Sequence, residues 1–134
     1  MTLNKKSYMR LLIFSLLMFT FTFCNKQLEG TYFDLREGEI ELFYNETQCA
    51  DPWYEFFNKK EYVSLDKAEK LKLFLISQDI EVLQIAYVKD ENGTGLICEA
   101  CKCFTGSRFY VKIRENRKDD LQKLQQFGFL RHGN

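Results

Sequence analysis

The sequence is poor in the residues and motifs that enzymes use for common reactions. It contains one histidine, His132, the third residue from the end, and chain termini are poor places for a catalytic base because they fray. The usual serine and cysteine triads need a histidine and are therefore not expected. No glycine-rich loop could cradle a phosphate, because Gly93-Thr94-Gly95 follows Asn92 and is typical of a turn. We therefore predict a protein that is not an enzyme.

The sequence also lacks a long run of basic residues. It has 19 lysines and arginines and 19 aspartates and glutamates, and the first 23 residues hold three of the basic residues and none of the acidic ones. The rest of the chain therefore carries a net charge of 16 − 19 = −3. A mildly acidic domain without a basic run is not expected to bind nucleic acid.

The N-terminal apolar run is too short to span a membrane. It covers residues 11–23, thirteen positions, whereas a spanning helix needs about 17–25 apolar residues. Lys5, Lys6 and Arg10 precede it, and Cys24 ends it. A basic start, a short apolar run and a cut point are typical of a secretory signal. We predict a signal peptide over residues 1–23 and a single domain over residues 24–134.

Cys24 occupies the position at which a bacterial lipoprotein signal ends. The resemblance implies that Cys24 becomes the lipid-bearing first residue of the mature chain, which would then be anchored to a membrane of the cell envelope. Phe23 stands where lipoprotein signals usually have a small residue. The alternative is ordinary cleavage after Cys24, with Thr22 and Cys24 as the small positions, which would give a secreted protein.

Three segments show the hydrophobic patterns of strands. Residues 38–44 and 108–114 alternate between apolar and polar side chains, as strands with one buried face do. Residues 80–88 are apolar on both faces, which predicts a strand in the centre of the sheet. The residues expected to point inward from the first and last of these strands are Ile40, Leu42, Tyr44, Phe109, Val111 and Ile113.

Two segments show helical spacing of apolar residues. The first helix is predicted to begin at a cap formed by Ser64 and to end near Gln78. The second runs over about 117–127, with Asn116 as its cap and Gly128 in the left-handed position just after its end. The resulting order β-α-β-β-α resembles a ferredoxin-like two-layer sandwich of the α+β class.

Four cysteines remain after Cys24, an even number that predicts disulfides in an exported domain. In the expected fold the first two strands run in the same direction. Cys49, just after the first strand, then lies at the same end of the sheet as Cys98, Cys101 and Cys103, which follow the second. A bridge between Cys101 and Cys103 would close a very small ring, so Cys49 is expected to pair with Cys101 or Cys103.

The same four cysteines also fit a metal site. The segment Cys98-Glu99-Ala100-Cys101-Lys102-Cys103 resembles half of a thiolate knuckle, and Cys49 would be the fourth ligand. Thiolates favour zinc or cuprous copper, so one of these metals is the alternative to a protein without a cofactor. A redox role is a third reading, although reactive Cys-x-x-Cys pairs usually begin a helix and this one lies between strands.

Five aromatic residues lie within ten positions. One interpretation is a flap that covers the open end of the core. The other is an exposed contact surface for a protein, glycan or lipid partner. The residues are Trp53, Tyr54, Phe56, Phe57 and Tyr62.

The segments Thr47-Gln48-Cys49-Ala50-Asp51-Pro52-Trp53 and 98–106 resemble parts of small lipoproteins of Bacteroidota. The resemblance implies localisation in the cell envelope. It implies no particular substrate.

Overall fold

The structure is a computed structural model that describes residues 30–91, 98 and 100–132. The predicted signal peptide, Cys24 and the Asn92-Gly93 turn lie outside these residues. One compact unit begins at Thr31. Over the described residues, no helix combines the length and apolar character needed to cross a membrane.

The described chain contains four strands and three α-helices. The strands are β1 (Glu39–Thr47), β2 (Gln84–Val88), β3 (Phe104–Arg114) and β4 (Leu130–Arg131). The helices are α1 (Tyr54–Phe57), α2 (Lys67–Ser77) and α3 (Lys118–Gln126), and a short 3-10 helix covers Lys60–Tyr62. This mixture of a sheet and helices confirms the α+β class.

The strands form one antiparallel sheet in the order β2-β3-β1-β4. Because β1 and β2 are both antiparallel to β3, which lies between them, they run in the same direction, as expected. The prediction of a central second strand is wrong, because β2 lies at one edge of the sheet that the described residues form. Ile80, counted as part of that strand, is buried in the connection before it, and this connection explains the apolar residues on both faces.

The helices cover one face of the sheet, which we call the inner face. The predicted inward residues of β1 and β3 are all buried there, together with side chains from α2 and α3. Full burial of one such side chain stabilises the fold by roughly 1.5–3 kcal/mol. This core consists of Ile40, Leu42, Tyr44, Trp53, Leu71, Phe74, Leu75, Ile80, Phe109, Val111, Ile113, Leu124 and Phe129.

The predicted caps at the starts of the two long helices are wrong. Asp66, not Ser64, caps α2: its side chain accepts the backbone N–H of Glu69 at 2.8 Å, and the Glu69 side chain accepts the backbone N–H of Asp66 at 3.3 Å. This reciprocal pair is a capping box. Asn116 likewise lies outside α3, whose N-cap is Arg117.

Both long helices end in the same turn. At the end of α3, Phe129 N–H donates to the Leu124 carbonyl and Gly128 N–H donates to the Gln125 carbonyl, as in a Schellman motif. Gly128 has φ +94°, which confirms its predicted left-handed position. In α2 the equivalent left-handed residue is Asp79, at φ +56°.

Candidate functional site

The cysteines lie at the end of the sheet where β1 finishes and β3 begins. The β1–β3 ladder continues beyond the strands, because Gln48 N–H donates to the Cys103 carbonyl at 3.0 Å and Cys49 N–H to the Cys101 carbonyl at 3.2 Å. Cys49 is joined to Cys101 by a disulfide whose Cα atoms are 4.6 Å apart. This is one of the two pairings that the sequence left open.

The second disulfide lies within the later segment. It joins Cys98 to Cys103, with Cα atoms 5.8 Å apart. The Gln48 side-chain amide donates to the Cys98 carbonyl at 2.6 Å, and Cys103 N–H donates to the Ala100 carbonyl at 2.9 Å. Cys98 and Cys101 are exposed, so the two bridges form a rigid, solvent-facing end of the domain.

A partly buried aspartate, Asp51, fixes the loop that carries Cys49. One carboxylate oxygen of Asp51 accepts hydrogen bonds from the Tyr44 hydroxyl at 3.0 Å, the Thr47 N–H at 2.9 Å and the Thr47 hydroxyl at 2.7 Å. Burial raises the pKa of Asp51 above its usual value, and burial together with the neighbouring Asp51 carboxylate raises the pKa of the Tyr44 phenol. The loop is therefore held to the inner face of the sheet, which places Cys49 beside Cys101.

A buried acid, Glu46, lies directly before this loop. The Glu46 side chain forms an ion pair with Lys67 at the start of α2 and accepts hydrogen bonds from the Tyr87 hydroxyl at 2.8 Å and the Thr105 hydroxyl at 2.9 Å. Burial opposes the charge of Lys67, but its hydrogen bonds to Glu46 and Tyr87 raise its pKa overall. This Glu46 cluster joins β1, β2, β3 and α2 beside the disulfides.

A β-bulge makes the Glu46 cluster possible. The pairing Asn45–Arg108 is followed by Thr47–Phe104, so β3 holds more residues than β1 in this interval. Gly106 within it has φ +86°, and a Cβ atom there would collide with the Asp90 side chain. The bulge turns the Thr105 hydroxyl toward Glu46, and bulges are common where a strand must redirect a side chain.

The aromatic segment divides between core and surface. Trp53 is 1% exposed and packs against Tyr44 and Phe109, so this residue agrees with the interpretation of a flap over the core and is not available to a contact surface. Such a large apolar ring gains most from complete burial. Phe56 and Phe57 are partly buried against the core. Of the five residues, Tyr54 is the one largely exposed to solvent, at 45%, whereas Tyr62 is partly buried and stacks on the Phe56 ring at 4.8 Å.

Another buried acid, Glu41, holds the segment that leads into the domain. Glu41 is 2% exposed and lies on the face of the sheet opposite the helices, which we call the outer face. Its two carboxylate oxygens accept the backbone N–H groups of Tyr32, at 3.0 Å, and Phe33, at 2.7 Å. The Tyr32 ring stacks on Tyr110 of β3 with ring centres 4.8 Å apart. These contacts fix residues 31–34 across the outer face.

An open cleft of about 770 Å³ lies beside this segment. Tyr32, Tyr110, Val88 and Arg108 are among the residues that line it. Its other lining residues are Tyr87, Lys89, Asp90, Glu91 and Gly106.

The roles of Glu41, Glu46 and Asp51 are not evident from the sequence pattern. Glu41 was expected on a polar strand face, and nothing in the alternation shows that residues 31–34 cover it. Glu46 could have been found, because extending the alternation of β1 by two residues beyond Tyr44 places it on the inner face. Asp51 gives a weaker signal, as a polar turn residue directly before Pro52.

The described residues contain no group of three or more His, Cys, Asp or Glu side chains placed to hold a metal ion. In comparisons with known proteins, no family model, curated protein or solved structure matches the chain.

Proposed function

We propose that this protein is an envelope lipoprotein, anchored through a lipid on Cys24, whose domain is a non-enzymatic binding or structural module stapled by disulfides. The observation that carries the proposal is the pairing of Cys49 with Cys101 and of Cys98 with Cys103. Two structural disulfides in a small domain are typical of proteins that leave the reducing cytosol.

The export signal supports the same compartment. The basic residues before position 11, the apolar run and the following Cys24 are the three parts of a lipoprotein signal. The likeness of the two cysteine-bearing segments to small Bacteroidota lipoproteins agrees with an envelope location. A short chain then joins the lipid to the first fixed residues of the domain.

The finer fold assignment is also part of the proposal. The strands β1 and β2 run in the same direction, with β3 inserted between them and α2 connecting them, which is a split β-α-β unit. The helix α3 then leads from β3 to β4, which pairs with the other side of β1. This arrangement supports a ferredoxin-like sandwich whose last strand is reduced to two residues.

The buried polar groups support binding or structure over catalysis. A general acid or base has to reach substrate, yet the carboxylates of Glu41, Glu46 and Asp51 are engaged by backbone N–H groups, hydroxyls or Lys67 within the fold. Asp120 is buried in the same manner, against Arg117 at 2.7 Å and the Glu81 N–H at 3.3 Å. The charged interior of the domain is therefore used to fix its loops and helices.

The proposal is tested on the full chain expressed with its signal in a bacterial host. Intact mass of the membrane-extracted protein is expected to correspond to residues 24–134 plus acyl groups on Cys24. A Cys24→Ser variant, as the matched control, is expected to lose the acyl mass and to leave the membrane fraction. A wild-type protein that begins at residue 25 without a lipid would overturn the anchored form of the proposal and favour secretion.

A further inference from the structure

The outer face of the sheet, opposite the helices, carries aromatic, apolar and basic side chains. Directly paired residues on neighbouring strands point to the same face, and the pairs Phe43–Tyr110, Phe43–Leu130 and Val88–Arg108 therefore share the outer face. Val88 and Leu130 are exposed there by 38% and 54%.

The chain enters the domain on this face. Tyr32 and Phe33 are held by the Glu41 carboxylate, and Lys112 donates to the Asp34 carbonyl at 3.4 Å. Lys112 also pairs with Glu39 at 3.3 Å. A carboxylate that accepts two N–H groups at a site closed to water is a strong restraint, because charge-assisted hydrogen bonds are about twice as strong as neutral ones.

The reach of the lipid from Cys24 is therefore limited. Eight peptide units separate Cys24 from Tyr32, and a fully extended chain covers at most about 28 Å over that distance. The acyl chains hold the bilayer within this length of Tyr32. Tyr32 lies on the outer face, so the tether favours orientations in which this face is turned to the bilayer.

The chemistry of the outer face fits a zwitterionic headgroup layer. Tyrosine is enriched where membrane and water meet, and Tyr32, which lines the cleft, is 53% exposed. The Arg108 guanidinium lies over the Phe43 ring, 5.6 Å from the ring centre, so a cation and an aromatic ring are adjacent on this face. Lys89 is a second cation at the cleft, and Asp90 and Glu91 are acids there, so the cleft offers charges of both signs to a phosphate and an ammonium group.

From these observations we infer that the outer face rests on the headgroups of the membrane that holds the lipid, and that the α2 side of the domain faces away from it. This inference rests on the proposed lipid at Cys24. It commits the outer face to a lipid surface.

The test uses tryptophan as a reporter of distance from the headgroups. The native Trp53 is buried and gives a constant background. Tyr32→Trp and Leu130→Trp report on the outer face, and Ile76→Trp, at a 56% exposed position of α2, is the matched control. The lipidated variants are placed in zwitterionic phosphatidylethanolamine–phosphatidylcholine vesicles that contain a lipid with a spin label on its headgroup.

Quenching of the added tryptophan is expected to be at least about twofold stronger at positions 32 and 130 than at position 76, as for side chains held at the interface. A Glu41→Gln change should reduce this difference because it loosens residues 31–34, whereas Glu37→Gln, at an exposed turn position, should leave it unchanged. Equal quenching at the three positions, stronger quenching at position 76, or no quenching of vesicle-bound protein would each overturn the inference.

Mass measurement on the same samples separates this inference from the proposed function. A missing acyl group means that the anchor itself is wrong, and the inference falls with it. An acylated, vesicle-bound protein without the expected quenching difference contradicts the orientation alone.

Discussion

Cys49 and Cys101 are 52 positions apart in the chain, yet their Cα atoms lie 4.6 Å apart at the end of the β1–β3 ribbon. The disulfide between them closes the loop that contains α1, α2 and β2. The other bridge, Cys98–Cys103, spans five positions. The two bridges therefore differ about tenfold in the length of chain that they close, and this difference determines how much each can stabilise the fold.

The long bridge is expected to contribute more stability than the short one. On the chain-entropy account, closing a loop of some fifty residues stabilises by roughly 4 kcal/mol and closing one of five residues by about 2 kcal/mol. The double variant Cys49→Ala/Cys101→Ala should therefore unfold at a clearly lower urea concentration than Cys98→Ala/Cys103→Ala. Urea unfolding followed by circular dichroism measures both. Equal losses in the two variants would contradict an entropic role for the bridge between β1 and β3.

The Glu46 cluster is expected to be sensitive to removal of its carboxylate. Glu46→Ala leaves the part-buried Tyr87 and Thr105 hydroxyls without their shared partner, and unsatisfied groups of this kind cost about 1–3 kcal/mol. Lys67 adds little to this cost, because its side chain is 44% exposed and water can solvate its charge. Glu55→Ala, at an exposed position of α1, is the matched control and should change stability by at most about 0.5 kcal/mol. Similar unfolding midpoints for the two variants would show that the cluster contributes nothing to the fold.

The left-handed residues that end the two long helices, Asp79 and Gly128, predict opposite changes in stability on substitution. Stability should rise when glycine is introduced and fall when glycine is replaced. Asp79 adopts φ +56° after α2, so Asp79→Gly should raise stability by about 0.5 kcal/mol through relief of backbone strain. Gly128→Ala should lower it by about 1–2 kcal/mol, because φ there is +94° and the new Cβ would lie 3.2 Å from the Tyr44 ring. Thermal unfolding of both variants is the measurement. A stabilising Gly128→Ala would contradict the left-handed terminator.

Stability is expected to fall in alkali because of Tyr44. Burial beside Asp51 raises the pKa of its phenol above the ordinary value of 10.0. The unfolded chain therefore releases this proton at about pH 10 while the folded chain retains it, so the free energy of unfolding decreases as pH rises through that range. The pKa of Lys67 is also raised from its ordinary value of 10.5. Lys67 therefore adds to the decrease in the free energy of unfolding above that pH.

Urea unfolding at about pH 9 and about pH 11 tests this behaviour. Tyr44→Phe should be less stable than the wild type at the lower pH, because Asp51 loses one hydrogen bond. Between the two pH values, the free energy of unfolding should decrease less for Tyr44→Phe than for the wild type. An equal loss in both proteins would mean that Tyr44 ionises alike in the folded and unfolded chain.

Local pattern was sufficient to predict much of the fold. Alternation in β1 and β3 identified Ile40, Leu42, Phe109 and Val111 as core residues, and the glycine at 128 identified the end of α3. These features depend on neighbours in sequence. The edge position of β2 does not depend on neighbours in sequence. The apolar residues of segment 80–88 include the buried Ile80 of the preceding connection and strand residues that pack against the core. The sequence pattern alone does not distinguish this arrangement from a central strand.

The site was only partly predictable for the same reason. The approach of Cys49 to the later cysteines follows from strand direction, whereas the choice of Cys101 over Cys103 depends on the hydrogen bonds of Gln48 and Cys49 to the facing chain. The buried Glu41 depends on residues 31–34 crossing the outer face, and no periodic signal records that crossing.

The most direct test of the account is a thiol titration of freshly prepared protein, unfolded in guanidinium, with and without prior reduction. The account predicts no reactive thiol from Cys49, Cys98, Cys101 and Cys103 before reduction and four after it, with peptide mapping joining Cys49 to Cys101. Four reactive thiols before reduction, together with bound zinc or copper by elemental analysis, would contradict the disulfide staple and favour a soft-metal site.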